Sequence, residues 1–268
     1  MATRSFTGKN NVIRGDIRQS SRLASGRGGL NRRTTMLWNN LPPTRQFEAH
    51  GFNFAWENAL KYTLTSGKQI IFGGENEPKD ALDTVQTIVL NERAIHQILE
   101  KQIHPKAPFK LVNQYVDEFT IEFLEKYHKM PEEQRFDYIY YDRLNKNYQI
   151  ENVFNELGKQ MESGIKSNRC QMITWIPEID QHKSATPCLQ RIRIRYEGDE
   201  EVSVHLDWRS RDLFNAWQVN LIGIVTMLQR DIIEPNNCSI ARIIDRNDSL
   251  HIYKSDIKAA TKVIADGN

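Results

Sequence analysis

Between Arg191 and Leu228 the hydrophobic period changes once, from two residues to between three and four, and that change decides most of the fold. Ile192, Ile194 and Tyr196 alternate with Arg191, Arg193 and Arg195, while Val202, Val204, Leu206 and Trp208 share one face of the next run. Alternation with one apolar face marks a half-buried strand, and Glu197-Gly198-Asp199-Glu200 supplies the turn of a hairpin. Phe214, Trp217, Leu221, Ile224, Val225 and Leu228 then recur at helical spacing, making the most apolar helix of the chain. An apolar sheet face beside such a helix points to an α/β domain with the helix in its core. Three arginines are too many for a buried apolar contact, so their face meets water, an anion or a second subunit.

The chain has 268 residues, enough for one substantial domain, and its 39% hydrophobic and 26% charged content is ordinary for a globular protein. No run approaches the roughly 18 apolar residues of a membrane helix, and no apolar segment follows Arg4 and Lys9, which predicts a cytoplasmic protein without membrane contact. Residues 1–45 hold nine Lys/Arg and one acid, Asp16. A basic stretch such as Arg18 to Arg33 is most often a solvated flexible tail, with nucleic-acid contact as the rarer alternative. The expected division is therefore a tail over 1–45 and a catalytic domain over 46–268. Cys170, Cys188 and Cys238 show no CxxC spacing, so neither a disulfide framework nor a metal site is expected.

Along the rest of the chain, Phe54, Ala55, Ala59, Leu60 and Leu64 predict a helix ended by Gly67. A strand is expected over 80–90, a helix over 91–101, a helix over 110–128, a polar loop containing the tyrosine-rich stretch 136–144, and a helix over 151–166. Strands are expected over 170–175, 239–244 and 249–253, and a last helix over 255–265. No internal repeat is visible.

The chemistry concentrates after Ala185. Cys188 follows Pro187 directly, at a strand entrance where proline pre-sets the backbone. Arg209-Ser210-Arg211-Asp212 is read as opening the core helix, where free backbone N–H groups favour an anion such as phosphate. Taken singly, each has a plain structural reading: a cysteine near a strand is usually a small buried hydrophobe, His251 a core histidine, and Arg209 to Asp212 a helix cap.

Taken in order, Trp175, Pro187-Cys188, the hairpin, Arg209-Ser210-Arg211-Asp212, Asn220 and His251-Ile252-Tyr253 resemble the thymidylate synthase family, which includes the pyrimidine hydroxymethylases. Tyr140-Tyr141-Asp142-Arg143-Leu144 is similar to the family's Tyr-Gly-x-Arg loop, and Ser167-Asn168-Arg169 to its Ser-Arg-Arg. The likeness runs from about Phe47 to Tyr253 and is closest to short archaeal and phage members. It implies an α/β (α+β) fold with a mixed β-sheet flanked by helices, paired sheet to sheet in a homodimer. The implied reaction is C5 methylation of dUMP to dTMP, with 5,10-methylenetetrahydrofolate as co-substrate and no metal. The implied alternative product is the 5-hydroxymethyl nucleotide, and a remoter one is a catalytically silent nucleic-acid-binding relative.

The resemblance also implies roles. Adding a thiolate to C6 of uracil turns the ring into an enolate with a reactive C5, and Cys188 is the implied nucleophile. A free thiol titrates at about 8.5, so a cation is needed beside it; Arg209 is the candidate, serving sulfur and phosphate together. Arg209 and Ser210 are expected to hold the phosphate, with Arg169 reaching over from the partner subunit. Asn220 is expected to read O4 and N3–H of uracil, since one carboxamide offers both a donor and an acceptor. His251 and Tyr253 are expected at the sugar hydroxyl, Asp212 at the folate ring and nucleotide, and Tyr140 at removal of the C5 proton. Glu92, Glu118 and Glu122 are equal candidates for the family's catalytic glutamate.

The sequence departs from the family at Leu189, where His is usual, at Asn168, where the first Arg of the pair is expected, and at Tyr141, which replaces Gly. Only fifteen residues follow Tyr253, too few for the closing segment of the long bacterial enzymes. An open site of that kind favours water over hydride at the final step, and so the hydroxymethyl product.

Overall fold

The structure is a computed structural model that describes residues 41–73, 78–183 and 185–265. The tail expected over the first residues lies outside the described residues up to residue 40. In chain order the elements are β1 (Thr44–Ala49), α1 (Phe52–Ser66), β2 (Lys68–Phe72), β3 (Lys79–Leu90), α2 (Glu92–Leu99), α3 (Val112–Asp117) and α4 (Ile121–Lys129). Then come α5 (Tyr140–Asn145), α6 (Gln149–Ser163), β4 (Gln171–Ile173), α7 (Pro177–Asp180), β5 (Leu189–Gly198) and β6 (Glu201–Trp208). The chain closes with β7 (Arg211–Asp212), α8 (Trp217–Leu228), β8 (Ser239–Tyr253) and α9 (Ile257–Ala265).

One mixed sheet runs β1-β3-β8-β6-β5-β4, with β2 also pairing β3 and β7 also pairing β8. β3 and β8 are long enough to carry two neighbours each: β3 pairs β2 along Lys79–Asp83 and β1 along Val85–Leu90. β8 runs parallel to β6 and, further on, to β7, and antiparallel to β3.

Register explains the arginine alternation. Ile88, Asp245, Leu206, Ile192 and Met172 lie in one row across five strands, and all five are buried. The adjacent row, Thr87, Arg246, Asp207, Arg191 and Ile173, points to the opposite face, since side chains alternate along a strand. There Arg191 and Arg246 both bridge to Asp207, at 2.7 and 3.3 Å. Arg195 and Arg242 bridge Glu197, at 3.5 and 3.2 Å. The inner face is covered by helices. α8 is its centre, with eleven buried residues from Trp217 to Leu228. α1 buries Phe52, Trp56 and Leu60 against the same core.

Several local expectations are corrected. The helix expected over 110–128 is two helices, because Thr120 adopts an extended backbone and its hydroxyl caps the second by accepting from Phe123 N–H at 3.2 Å. The tyrosine-rich loop continues into helix α5 from Tyr140. The two terminal strands are one, β8, and β1 and β2 add edges to β3. β1 takes in Thr44 and Arg45, the last two residues of the expected tail.

The largest correction concerns residues 209–212. They do not open a helix: Arg211 and Asp212 form β7, and α8 starts only at Trp217. The cause is Arg211, which is 2% exposed and bonds Asp245 at 2.8 Å and the Trp217 carbonyl at 2.7 Å. Trp217 Nε1 donates to the other Asp245 oxygen at 2.9 Å, and the Arg211 guanidinium lies 3.9 Å from the Trp208 ring centroid. A buried guanidinium tolerates that position only when paired, and its pairing pulls the chain into the sheet.

Candidate active site

Cys188 precedes β5 and is half-buried. Its loop is held from the end of β6 by Arg209. Nε donates to the Pro187 carbonyl at 3.0 Å, and Nη2 donates to the Thr186 carbonyl and hydroxyl at 2.9 and 2.7 Å. The Arg209 N–H also donates to the Cys188 carbonyl at 3.0 Å. Nη1 has no partner among the described residues. Ser210 follows, half-buried. The expected helix N-terminus offers no anion site: the N–H groups of Phe214 and Asn215 donate to Asp212, both at 2.9 Å, and are not free.

Two tyrosines lie on the other side of Cys188. The Tyr140 hydroxyl accepts from Leu189 N–H at 3.4 Å, and Tyr138 packs against Tyr140. The two rings meet edge to face at 5.4 Å, and Tyr140 packs the same way on Trp208 at 6.0 Å. Burial pushes both phenols up, Tyr140 the further. α5, which carries Tyr140, is fastened by Arg143, whose guanidinium pairs with the buried Asp180 of α7 at 2.8 Å.

A cavity of about 400 Å³ opens here, lined among others by Tyr115, Glu118, Phe136, Tyr138 and Tyr140. A second, of about 640 Å³, shares Glu118 and Phe136 with it. Glu118 is half-buried and burial raises its carboxyl pKa, whereas Glu92 and Glu122 are exposed. Asn220 is buried, and its Nδ2 donates to the Tyr115 hydroxyl at 2.6 Å. Asn220 therefore meets the cavity through Tyr115, whose phenol burial raises far above its usual value. The aromatic walls suit a flat heterocycle, which is the shape of both a pyrimidine and a pterin.

Asp212 uses both carboxylate oxygens within its own turn, Oδ2 accepting from Asn215 Nδ2 at 2.9 Å. Burial, then Asp256, raises its pKa against those bonds. His251 is 2% exposed and burial depresses its pKa to about 4. Its ring lies 4.8 Å from Tyr253 and 4.5 Å from Phe72. The Tyr253 phenol is raised by burial and then by the charges of Asp212 and Cys188.

Cys188, Arg209 and Tyr140 thus come together, whereas the contacts of Tyr253 are with His251, Phe72 and Lys79. Arg169 does not join them: its side chain is 80% exposed and bonds Ser167 at 3.3 Å and Glu156 at 3.1 Å. Tyr138 and Tyr115 were missed by the sequence reading. Tyr138 shares the strand-like phase of Tyr140 two residues on, a signal that was available; Tyr115 gave none.

A model of the thymidylate synthase family matches residues 81–266. The stretch takes in the sheet from β3 onward, the cysteine loop and the two tyrosines, and the chain belongs to the thymidylate synthase family. Among curated proteins it is similar to three named "Putative thymidylate synthase". That of Methanothermobacter marburgensis is 27% identical over 54% of this chain and 66% of its own length. That of Methanothermobacter thermautotrophicus is 27% identical over 53% and 64%, and that of Methanopyrus kandleri 25% over 58% and 75%. The match thus spans just under two thirds of each Methanothermobacter relative. No helix among the described residues is long and apolar enough to cross a membrane.

Proposed function

We propose that this chain transfers a one-carbon unit to C5 of dUMP and releases dTMP, with Cys188 as covalent nucleophile. The observation that carries the reading is the grip on Cys188: Arg209 holds Thr186 and Pro187 and donates its own N–H to the Cys188 carbonyl, and the Tyr140 hydroxyl accepts from the next N–H, that of Leu189. A reactive thiol needs a fixed approach to C6, and this loop has almost no freedom left.

The Cys188 thiolate adds to C6, forming the S–C bond while the C5–C6 π pair moves toward O4. The enolate's C5 takes the one-carbon unit, a base removes the C5 proton as the bond from that carbon to the folate nitrogen breaks, and addition of hydride (methyl product) or water (hydroxymethyl product) to the resulting exocyclic methylene expels the thiolate from C6. Methylenetetrahydrofolate, the co-substrate the family implies, supplies the carbon and, for a methyl product, the hydride. Glu118 is the proton-transfer carboxyl of the three candidates, because it alone lines the tyrosine cavity and is partly desolvated. Tyr140 stands at the C5 proton. Asn220 faces the uracil edge, with its Oδ1 and second Nδ2 hydrogen available beyond the Tyr115 bond. The free Nη1 of Arg209 and the Ser210 hydroxyl take the phosphate. Arg169, held away from its own site, serves that of a second copy in a homodimer paired through the charged sheet face. Asp212 stands on the co-substrate side, its raised carboxyl suited to share a proton with a ring nitrogen.

The test is the mass of the nucleotide after incubation with dUMP and methylenetetrahydrofolate. A gain of CH2 supports methyl transfer, a gain of CH2O replaces it with hydroxymethyl transfer, and no gain rejects the reading. Asn220→Asp should shift preference from dUMP toward dCMP; unchanged preference removes Asn220 from the recognition set.

A further inference from the structure

Tyr115, on α3, lines the tyrosine cavity together with Glu118, Tyr138 and Tyr140. Its ring has little room to turn. Phe109 and Phe119 meet it edge to face, at 6.0 and 5.6 Å between centroids, and Cε1 lies 2.9 Å from where a Cβ on Gly223 would stand. The hydroxyl oxygen is held as well: it accepts from Asn220 Nδ2 at 2.6 Å, its one hydrogen bond among the described residues. A phenol O–H lies in the plane of its ring by conjugation, which leaves the hydrogen two orientations. The Asn220 N–H occupies one side of the oxygen, so the single hydrogen takes the other and meets no acceptor among the described residues. Burial first, then the charge of Glu118, raises the phenol's pKa, so this hydrogen stays in place at pH 7. An unused donor of fixed direction in a cavity wall calls for an acceptor on the ligand.

Resting on the nucleotide reading above, the addition of the Cys188 thiolate to C6 decides where such an acceptor forms. A sulfur lone pair makes the S–C6 bond, the C5–C6 π pair becomes the C4–C5 double bond, and the carbonyl π pair moves onto O4. The thiolate's charge thus ends on O4. When C5 takes the one-carbon unit the pairs move back and the C4 carbonyl is restored, so no proton changes hands at this oxygen. We propose that Tyr115 is a catalytic residue whose O–H donates to O4 of the pyrimidine and stabilises the enolate charge there. A carbonyl oxygen has two lone pairs, so O4 takes Tyr115 on one and the second Nδ2 hydrogen of Asn220 on the other. Asn220 acts a second time through the phenol, because its bond to the Tyr115 oxygen polarises the O–H. A donor fixed before the reaction tightens as charge develops, and therefore contributes more to rate than to binding.

Tyr115→Phe, made in the full chain, removes one oxygen and fills the same space. Turnover of dUMP should fall on the order of a hundredfold, while its dissociation constant changes by about threefold at most. 4-Thio-dUMP separates contact with position 4 from every indirect role. Sulfur is a poor hydrogen-bond acceptor and carries the enolate charge with less help, so with this substrate the penalty of Tyr115→Phe should shrink to about threefold. The comparison of the two nucleotides is made within one preparation, so a smaller folded fraction leaves it unchanged. An equal penalty with dUMP and 4-thio-dUMP, or a loss confined to binding, overturns the proposal and leaves Tyr115 as packing for Asn220. A parent chain that converts dUMP no faster than Tyr115→Phe sinks this inference alone. One that converts neither nucleotide sinks the proposed function and this inference with it.

Discussion

Arg209 commits two of its three guanidinium nitrogens to the backbone and hydroxyl of Thr186 and Pro187, and this planar fork is what lysine lacks. Arg209→Lys keeps the charge and loses the grip. Turnover of dUMP should fall on the order of a hundredfold while the protein stays folded; turnover near that of the parent would show that charge alone matters. A second residue-scale prediction concerns His205 on the outer sheet face. Burial first, then Arg246 and Arg193, depresses its pKa from 6.5 to about 4. A depressed histidine contributes stability that is complete above pH 6.5 and lost as pH falls toward 4, on the order of 3 kcal/mol for this shift. His205→Asn should flatten the fall in denaturation midpoint across that window, and an unchanged slope contradicts the shift. At this scale the ordered motifs singled out Cys188, Arg209 and Tyr140, which the structure brings together, and Tyr253, which it packs on His251. It left Glu118 equal to Glu92 and Glu122 because burial, the property that separates them, has no local signature in a helix of mixed residues.

Helix α8 meets α3 at Gly223, where an added Cβ would lie 2.6 Å from Phe119 Cε2 and 2.9 Å from Tyr115 Cε1. Both rings are packed, so neither yields without moving the Tyr115 hydroxyl that Asn220 holds. Gly223→Ala should cost about 1–3 kcal/mol in denaturant unfolding and weaken dUMP binding as well. A stability loss with unchanged affinity would uncouple this helix contact from the site. The hairpin and α8 were legible because each presents an unbroken period. β1 and β2 were not, since six and five residues with one or two apolar positions on a face give little period to count. β7 was hidden for another reason: its conformation follows from the Arg211–Asp245 pair, and those partners are 34 residues apart.

For the whole molecule, the mixed sheet has one face under helices and one face of paired charges, and the second is where we place the partner copy. If Arg169 serves the neighbouring site, mixing Arg169→Ala with Cys188→Ser chains should restore activity that each lacks alone. Recovery should approach about a quarter of the parent, because about half of reassorted dimers are mixed and each has one intact site. No recovery from reassorted dimers would return Arg169 to a surface role. The proposed reaction turns on a covalent bond between Cys188 and C6. Fluorine at C5 cannot leave as a proton does, so 5-fluoro-dUMP with methylenetetrahydrofolate should stall the reaction with nucleotide attached. Intact-protein and peptide mass spectrometry should find that mass on the peptide containing Cys188. No adduct, or an adduct on Cys170 or Cys238, would contradict the account.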